Sequence, residues 1–301
     1  MFNNMDRRKR IIDLQSILLG ICVIAAAAIG NFYTNGGKSF EAVNMYGDTV
    51  KMYGDGIYAY NSVSNVSNYF GSGIIIIIGG ILLILLTLWK NRPLWAEILR
   101  TSEIVNLVYS SACLLFGVSM NQLYFLYVAC FAIGLFTAYM AVTDLFNIIE
   151  VPTELKNRSL KGTGIFLIVA GVITALVWIS SIIPVSVSGE YGALLGIQTN
   201  EVTFGIDLSI TCPLVILCGI WILHRKDIGY KVAPLLLNLL VSVAIMVVIQ
   251  RAYCLKLGIE LPIQALICFI ISFVVLGVIA LFLFIKLVMK LKKAESKTPI
   301  K

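Results

Sequence analysis

The sequence predicts an all-α integral membrane protein, a bundle of about eight transmembrane helices with a small extracytoplasmic β-hairpin between the first two. Three observations predict it. Eight apolar stretches, each long enough to cross a hydrocarbon layer of about 30 Å, are spaced along the 301 residues. The loops joining them alternate between basic and nearly base-free. And 59% of the residues are hydrophobic while only 13% are charged, more apolar surface than a water-facing skin accommodates but one that lipid covers.

Residues 1–10 form a basic N-terminus carrying Arg7, Arg8, Lys9 and Arg10. The first span, 11–33, also resembles the apolar part of a signal peptide. Its length and the poor cleavage context Asn31-Phe32-Tyr33 favour its retention as an anchor. An outer loop, 34–71, precedes a second span at 72–89. The third and fourth spans, 94–118 and 122–147, are joined by a tight turn and must be antiparallel neighbours. The linker 148–162 holds Lys156, Arg158 and Lys161. The fifth span is 163–184, followed by a loop with Glu190 and Glu201 and no base. The sixth, seventh and eighth spans fall at 206–224, 232–253 and 263–286, and residues 290–301 form a basic tail expected to fray from the membrane. The whole of 11–289 reads as a single polytopic domain.

Of the 23 lysines and arginines, nineteen fall on the termini and loops of one face and four (Lys38, Lys51, Arg251, Lys256) on the other. Positive charge stays cytoplasmic, so both termini are expected in the cytoplasm, with the protein in the cell (plasma) membrane. The net charge of +7 therefore marks contact with anionic lipid rather than nucleic acid, because the bases sit in short tracts at span ends and not in one stripe. The seven cysteines (Cys22, Cys113, Cys130, Cys212, Cys218, Cys254, Cys268) form no C-x-x-C and nearly all lie within spans. They read as small buried hydrophobes. A Cys212–Cys254 disulfide between adjacent outer span ends stays open.

Within the outer loop, Thr49 to Tyr53 alternates polar and apolar residues. Gly54-Asp55-Gly56 then permits positive φ before Ile57 to Tyr60, which predicts a hairpin turning at the glycines. Six of the thirteen tyrosines fall on or beside this loop. They suit an aromatic belt at head-group level, or a recognition surface at Tyr53, Gly54, Gly56 and Tyr58.

The run Val50-Lys-Met-Tyr53-Gly54-Asp-Gly56-Ile-Tyr58 resembles a Tyr-Gly-x-Gly-(Leu/Ile)-Tyr signature of a group of uncharacterised bacterial and archaeal multi-pass membrane proteins. Asn121-Gln-Leu-Tyr124-Phe125-Leu126-Tyr127-Val128-Ala129 resembles a second block of that group, and Asp207-Leu208 with Pro213 a third. The likeness spans roughly residues 46 to 240, and Asn61 stands where the group has Asp. It implies the polytopic architecture and no activity.

Charge inside a bilayer is expensive, so intramembrane ionisable residues mark candidate sites. On the third span, Arg100, Glu103, Asn106 and Ser110 fall within about 120° of arc at about 100° per residue. Glu103 lies about 12 Å in from Trp95 at 1.5 Å per residue. With Asp144, near the inner end of the fourth span, at a depth similar to that of Arg100, the expected cluster is Glu97, Arg100, Glu103, Asn106 and Asp144. It serves either as a packing network or as a proton- or ion-coupling site. A second pair is expected on the outer rim, Asp207 with Arg251, and Pro213 and Pro234 are expected to kink their helices.

No P-loop, H-E-x-x-H, G-x-S-x-G or Gly-rich fingerprint occurs, and the single histidine, His224, excludes a metal site built on histidine clusters. No cofactor, metal or nucleic-acid partner is implied. The lipid bilayer is one expected partner, and a membrane-protein partner or a homo-oligomer another. Three functions compete. One is a permease-like carrier of a small solute or ion; another is a non-catalytic scaffold subunit of a membrane complex; the third is an enzyme acting on a lipid or lipid-linked substrate.

Overall fold

The computed structural model describes residues 2–157, 160–259 and 271–293. In chain order these form α1 (Phe2–Phe32), strands β1 (Phe40–Val43) and β2 (Thr49–Met52), α2 (Val63–Leu88), α3 (Leu94–Gly117), α4 (Tyr124–Ile148) and β3 (Ile149–Glu150). They continue with a short α5 (Thr153–Asn157), α6 (Lys161–Ser188), a short α7 (Gly192–Leu195), α8 (Val202–Ile206), α9 (Cys212–Leu223), α10 (Asp227–Lys256), α11 (Ser272–Val288) and β4 (Lys292–Lys293). Among the described residues, six helices are long and apolar enough to cross a membrane: Arg7–Phe32 within α1, then α2, α4, α6, the joined α8–α9 helix Val202–Leu223, and α10. The helix α3 has the length, at 24 residues, but carries Glu97, Arg100 and Glu103. Positions 263–270 of the last expected span, Cys268, Arg158 and tail residues 294–301 lie outside the described residues.

Helices α1 to α4 pack around one apolar core that includes Leu19, Val23, Ile76, Leu83, Ile104 and Tyr127. Close approach of α1 to α2 is set by Gly20 and Gly80, since a Cβ on Gly80 would stand 3.1 Å from the Gly20 carbonyl oxygen; small residues at such crossings let backbones meet. Helix α10 is the hub, touching α2, α3, α9 and α11, while α6 lies along α9. A second core joins Ile98 of α3 and Leu145 of α4 to Leu167, Val215, Tyr230, Leu237 and Leu287.

Loop contacts sort the two ends of the bundle. At one end Arg8 pairs with Asp144 at 2.7 Å, Lys156 with Asp227 at 2.6 Å, and β3 pairs with β4. At the other, Asn44 donates to the Gly196 carbonyl at 2.9 Å, Ser119 N–H to Asn61 Oδ1 at 2.9 Å, and Cys254 Sγ lies 3.0 Å from Ser67 Oγ. The first is the basic end of the bundle and the second the hairpin end.

Several sequence boundaries shift. Residues 2–10 are not a separate basic segment but the start of α1, where Arg8 reaches Asp144. The outer loop stops at residue 62, because Ser62 caps α2 by accepting from the Asn65 N–H at 3.2 Å. Hydropathy missed that first polar turn, whose Val66 and Phe70 are nevertheless buried. The tail does not fray at 290, since Lys292 and Lys293 pair with Glu150 and Ile149. Cys212 and Cys254 are both buried and free, so no disulfide joins them.

The hairpin is also re-registered. Thr49–Met52 is a strand, but its antiparallel partner is upstream at Phe40–Val43, in register Phe40↔Met52 and Val43↔Thr49. The turn lies at 44–48, where Asn44 Oδ1 accepts from the N–H groups of Tyr46 and Asp48, both at 2.9 Å, and Gly47 has φ +89°. Downstream, Gly54 (φ +81°) and Gly56 (φ +57°) bend the chain back on itself. Ile57 and Tyr58 then enter a 3-10 turn and are buried against Val66 and Phe70.

Candidate functional site

The polar stripe of α3 runs the length of the bundle and meets different partners at three levels. At the basic end Arg100, 2% exposed, donates from Nη1 to Asp13 Oδ1 at 3.2 Å and pairs through Nη2 with Glu97. Arg92 pairs with the same two carboxylates, at 2.7 Å to Asp13, and donates to the Thr87 carbonyl at 3.1 Å. Two carboxylates and two guanidiniums therefore neutralise one another. Asp144 does not join them. Its ion pair is with Arg8 of α1, at 2.7 Å, beside the network and not within it. Asp13 was missed in the sequence, although its place three residues after Arg10 on a helical face is a readable signal.

One turn further in, Glu103 is buried and separated from that network. Asn238 of α10 donates to its Oε1 at 2.8 Å, and Asn106 donates to Ser242 Oγ at 2.8 Å. Asn238 and Ser242 are four residues apart and share a helix face. Gly79 of α2 leaves the room Glu103 occupies, since a Cβ there would stand 3.1 Å from Oε2. A small void touches Glu103, Asn106, Tyr109, Ser110, Ser242 and Met246.

Toward the hairpin end the helices part around a cavity of 320 Å³ between α2, α3, α6, α8 and α10. Tyr109, Ser110, Val243 and Met246 line both this cavity and the smaller void, so the two adjoin. Asp207 is on the wall, 6% exposed. It accepts from the Trp178 indole at 2.9 Å, and the Tyr109 and Thr211 hydroxyls face the same carboxylate. Trp178 stacks on Phe204 with centroids 4.6 Å apart and planes 28° apart.

The placement of Asp207 follows from Pro213. A proline inside a helix has no N–H to give and crowds the turn before it. Here that turn, Asp207–Thr211, widens to a π-helix in which the Cys212 N–H donates to the Asp207 carbonyl five residues back. Such insertions re-aim side chains and recur at functional sites. The proline thus acts through a widened turn rather than a simple kink. The expected Asp207–Arg251 ion pair is not what holds Asp207, because Trp178 supplies its hydrogen bond. Both residues line the cavity, and Arg251 Nη1 is directed at Cys254 Sγ, 3.8 Å away.

The segment between α6 and α8 roofs the cavity. Gln198 Nε2 donates to Tyr69 Oη at 2.7 Å and also to the Gly117 carbonyl. Glu201, whose carboxyl is pushed up by burial, lines the cavity and a shallower outer pocket at once. The hairpin holds this roof through Asn44 and through Tyr46, whose ring lies 5.9 Å from that of Tyr191. Of the expected recognition residues, Tyr53, Gly54 and Gly56 are half-buried and Tyr58 is buried against the start of α2. Tyr58 is 1% exposed, between the rings of Tyr69 and Phe70, and Tyr53 packs on Phe70. Trp178, Tyr109, Gln198 and Glu201 were not singled out from the sequence, since aromatic and amide residues near span ends are common.

Comparison with protein families, curated proteins and solved structures returns no match for this chain. The fold and the buried polar stripe define its class, a multi-pass helical membrane protein.

Proposed function

We propose that this protein is a permease-like carrier that moves a small solute or ion across the cell membrane through eight spans, with both termini cytoplasmic. The observation that carries the reading is the cavity at the hairpin end, which adjoins the void at Glu103 while a continuous apolar core closes the basic end. A cavity that lies nearer one face beneath a roof, with a packed core toward the other, is the arrangement of an occluded state in alternating access. The depth of Glu103, about 12 Å along α3 from Trp95 at 1.5 Å per residue, suits an ion- or proton-coupling group. A scaffold subunit needs no interior space and leaves both features without a role. The inner placement of the basic end follows from the charge bias of the loops.

The test is accessibility from both faces. In a cysteine-free background, Asn106→Cys should react with a membrane-impermeant maleimide from the outer side in intact cells. In inverted vesicles it should react from the inner side as well. Labelling from a single side under every condition overturns the carrier reading.

A further inference from the structure

We infer that the cavity binds a small organic cation, held against the Trp178–Phe204 stack with its charge balanced by Asp207 and Glu201. The inference rests on the carrier reading, since it names the solute class that the same site takes.

Three observations converge. The first is an unmatched charge. Asp207 is more than nine-tenths buried, its carboxylate receives neutral donors from Trp178, Tyr109 and Thr211, and among the described residues no cation pairs with it. A buried carboxylate without a counter-ion is costly in a membrane interior, whereas at the basic end every carboxylate of the α3 network has an arginine. The second is the wall beside it. Trp178 and Phe204 are stacked, Phe273 lies 6.4 Å from Trp178, and Tyr69 and Tyr109 add further rings. Aromatic faces attract cations, most strongly where water is excluded, and cages of this kind take quaternary ammonium groups. The third is the balance of charge and size. Two carboxylates and one base, Arg251, line the described wall, which leaves it one negative charge in excess. The volume of 320 Å³ is at the small end of ligand pockets, which suits a compact ammonium ion.

The probe is choline, compared with its uncharged isostere, in which carbon replaces nitrogen, and with betaine, the zwitterion bearing the same ammonium group. Binding is measured by calorimetry on the purified full chain in lipid nanodiscs. Choline should bind, and the isostere and betaine should bind at least about tenfold more weakly, the difference expected of a cation held by aromatic faces and a carboxylate. Asp207→Asn should weaken choline by about tenfold or more, and Glu201→Gln, at the cavity edge, should weaken it without touching the Trp178 contact. Equal binding by the isostere, tighter binding by betaine, or an unchanged affinity in both variants overturns the inference. Choline counterflow in proteoliposomes separates the two readings. Binding without counterflow preserves the site and removes the carrier. A cavity that labels from both faces yet never binds choline removes the cation and preserves the carrier.

Discussion

The two ends of this bundle solve the problem of buried charge in opposite ways. At the basic end, the buried side chains of Arg92 and Arg100 are matched by Asp13 and Glu97, more exposed pairs join Arg8 to Asp144 and Lys156 to Asp227, and an apolar core fills the space between helices. At the hairpin end the helices part, and Asp207 stands in a cavity wall with neutral donors around it. The contrast separates charge that holds helices together from charge left to meet something else. The same helix, α3, takes part in both, so the difference comes from its neighbours and not from its own composition.

The strongest way to break this contrast is to remove one charge from each end. Arg100→Ala leaves Asp13 and Glu97 partly uncompensated and should cost about 3–5 kcal/mol, the loss typical of breaking a buried pair. Asp207→Asn should cost less than about 1 kcal/mol, since an amide keeps the indole bond and sheds an unpaired charge. Reversible unfolding in mixed detergent micelles measures both. A comparable loss in the two variants would erase the distinction.

A middle-sized effect is expected at Glu103, where the two halves meet. Asn238→Leu removes its donor at 2.8 Å and should cost about 1–3 kcal/mol, the penalty of stranding a buried polar group. Adding Glu103→Leu to Asn238→Leu should restore part of that stability, because replacing both partners avoids the orphan. Glu103→Gln should leave folding nearly unchanged and abolish any pH dependence of transport in proteoliposomes. Normal folding with an unaltered pH response would show that Glu103 packs and does not couple.

Much of this arrangement was legible before any coordinates. Alternating charge separated the two ends, and the spacing of Arg100, Glu103, Asn106 and Ser110 marked the polar face of α3. Partners across helices were not legible, because 3.6-residue periodicity fixes which side a residue faces and not which helix it meets. Hence the sequence groups Asp144 with Arg100, whereas Arg8 is its ion-pair partner, and it marks neither Asp13 nor Asn238. The hairpin shows a different limit. Tyr-Gly-Asp occurs twice, at 46–48 and 53–55, and both copies carry a positive-φ glycine. The residues flanking the two copies differ: Asn44 stands two before Tyr46 and caps the first turn, whereas Lys51 stands two before Tyr53 and Gly56 follows Asp55, so the first copy closes the hairpin and the second folds the chain onto the bundle.

That second copy gives the smallest and most localised test. Thr34 donates to Asp55 Oδ2 at 2.6 Å, and the N–H groups of Asn35 and Gly37 donate to Oδ1 at 2.9 and 3.3 Å. The Thr34 hydrogen bond, then those backbone donors, hold the Asp55 carboxyl below its ordinary value. A depressed folded value means that the stabilisation is complete above the unfolded value, about pH 3.9, and fades as pH falls through the folded one. Acidification below about pH 4 should therefore speed amide exchange at Asn35 and Gly37, after correction for intrinsic rates, while leaving β1 and β2 protected. Asp55→Asn should make that exchange independent of pH over the same range. If the strands loosen together with residues 34–37, the loop and hairpin are one cooperative unit, and the roof over the cavity is tied to Asp55 as well as to Asn44.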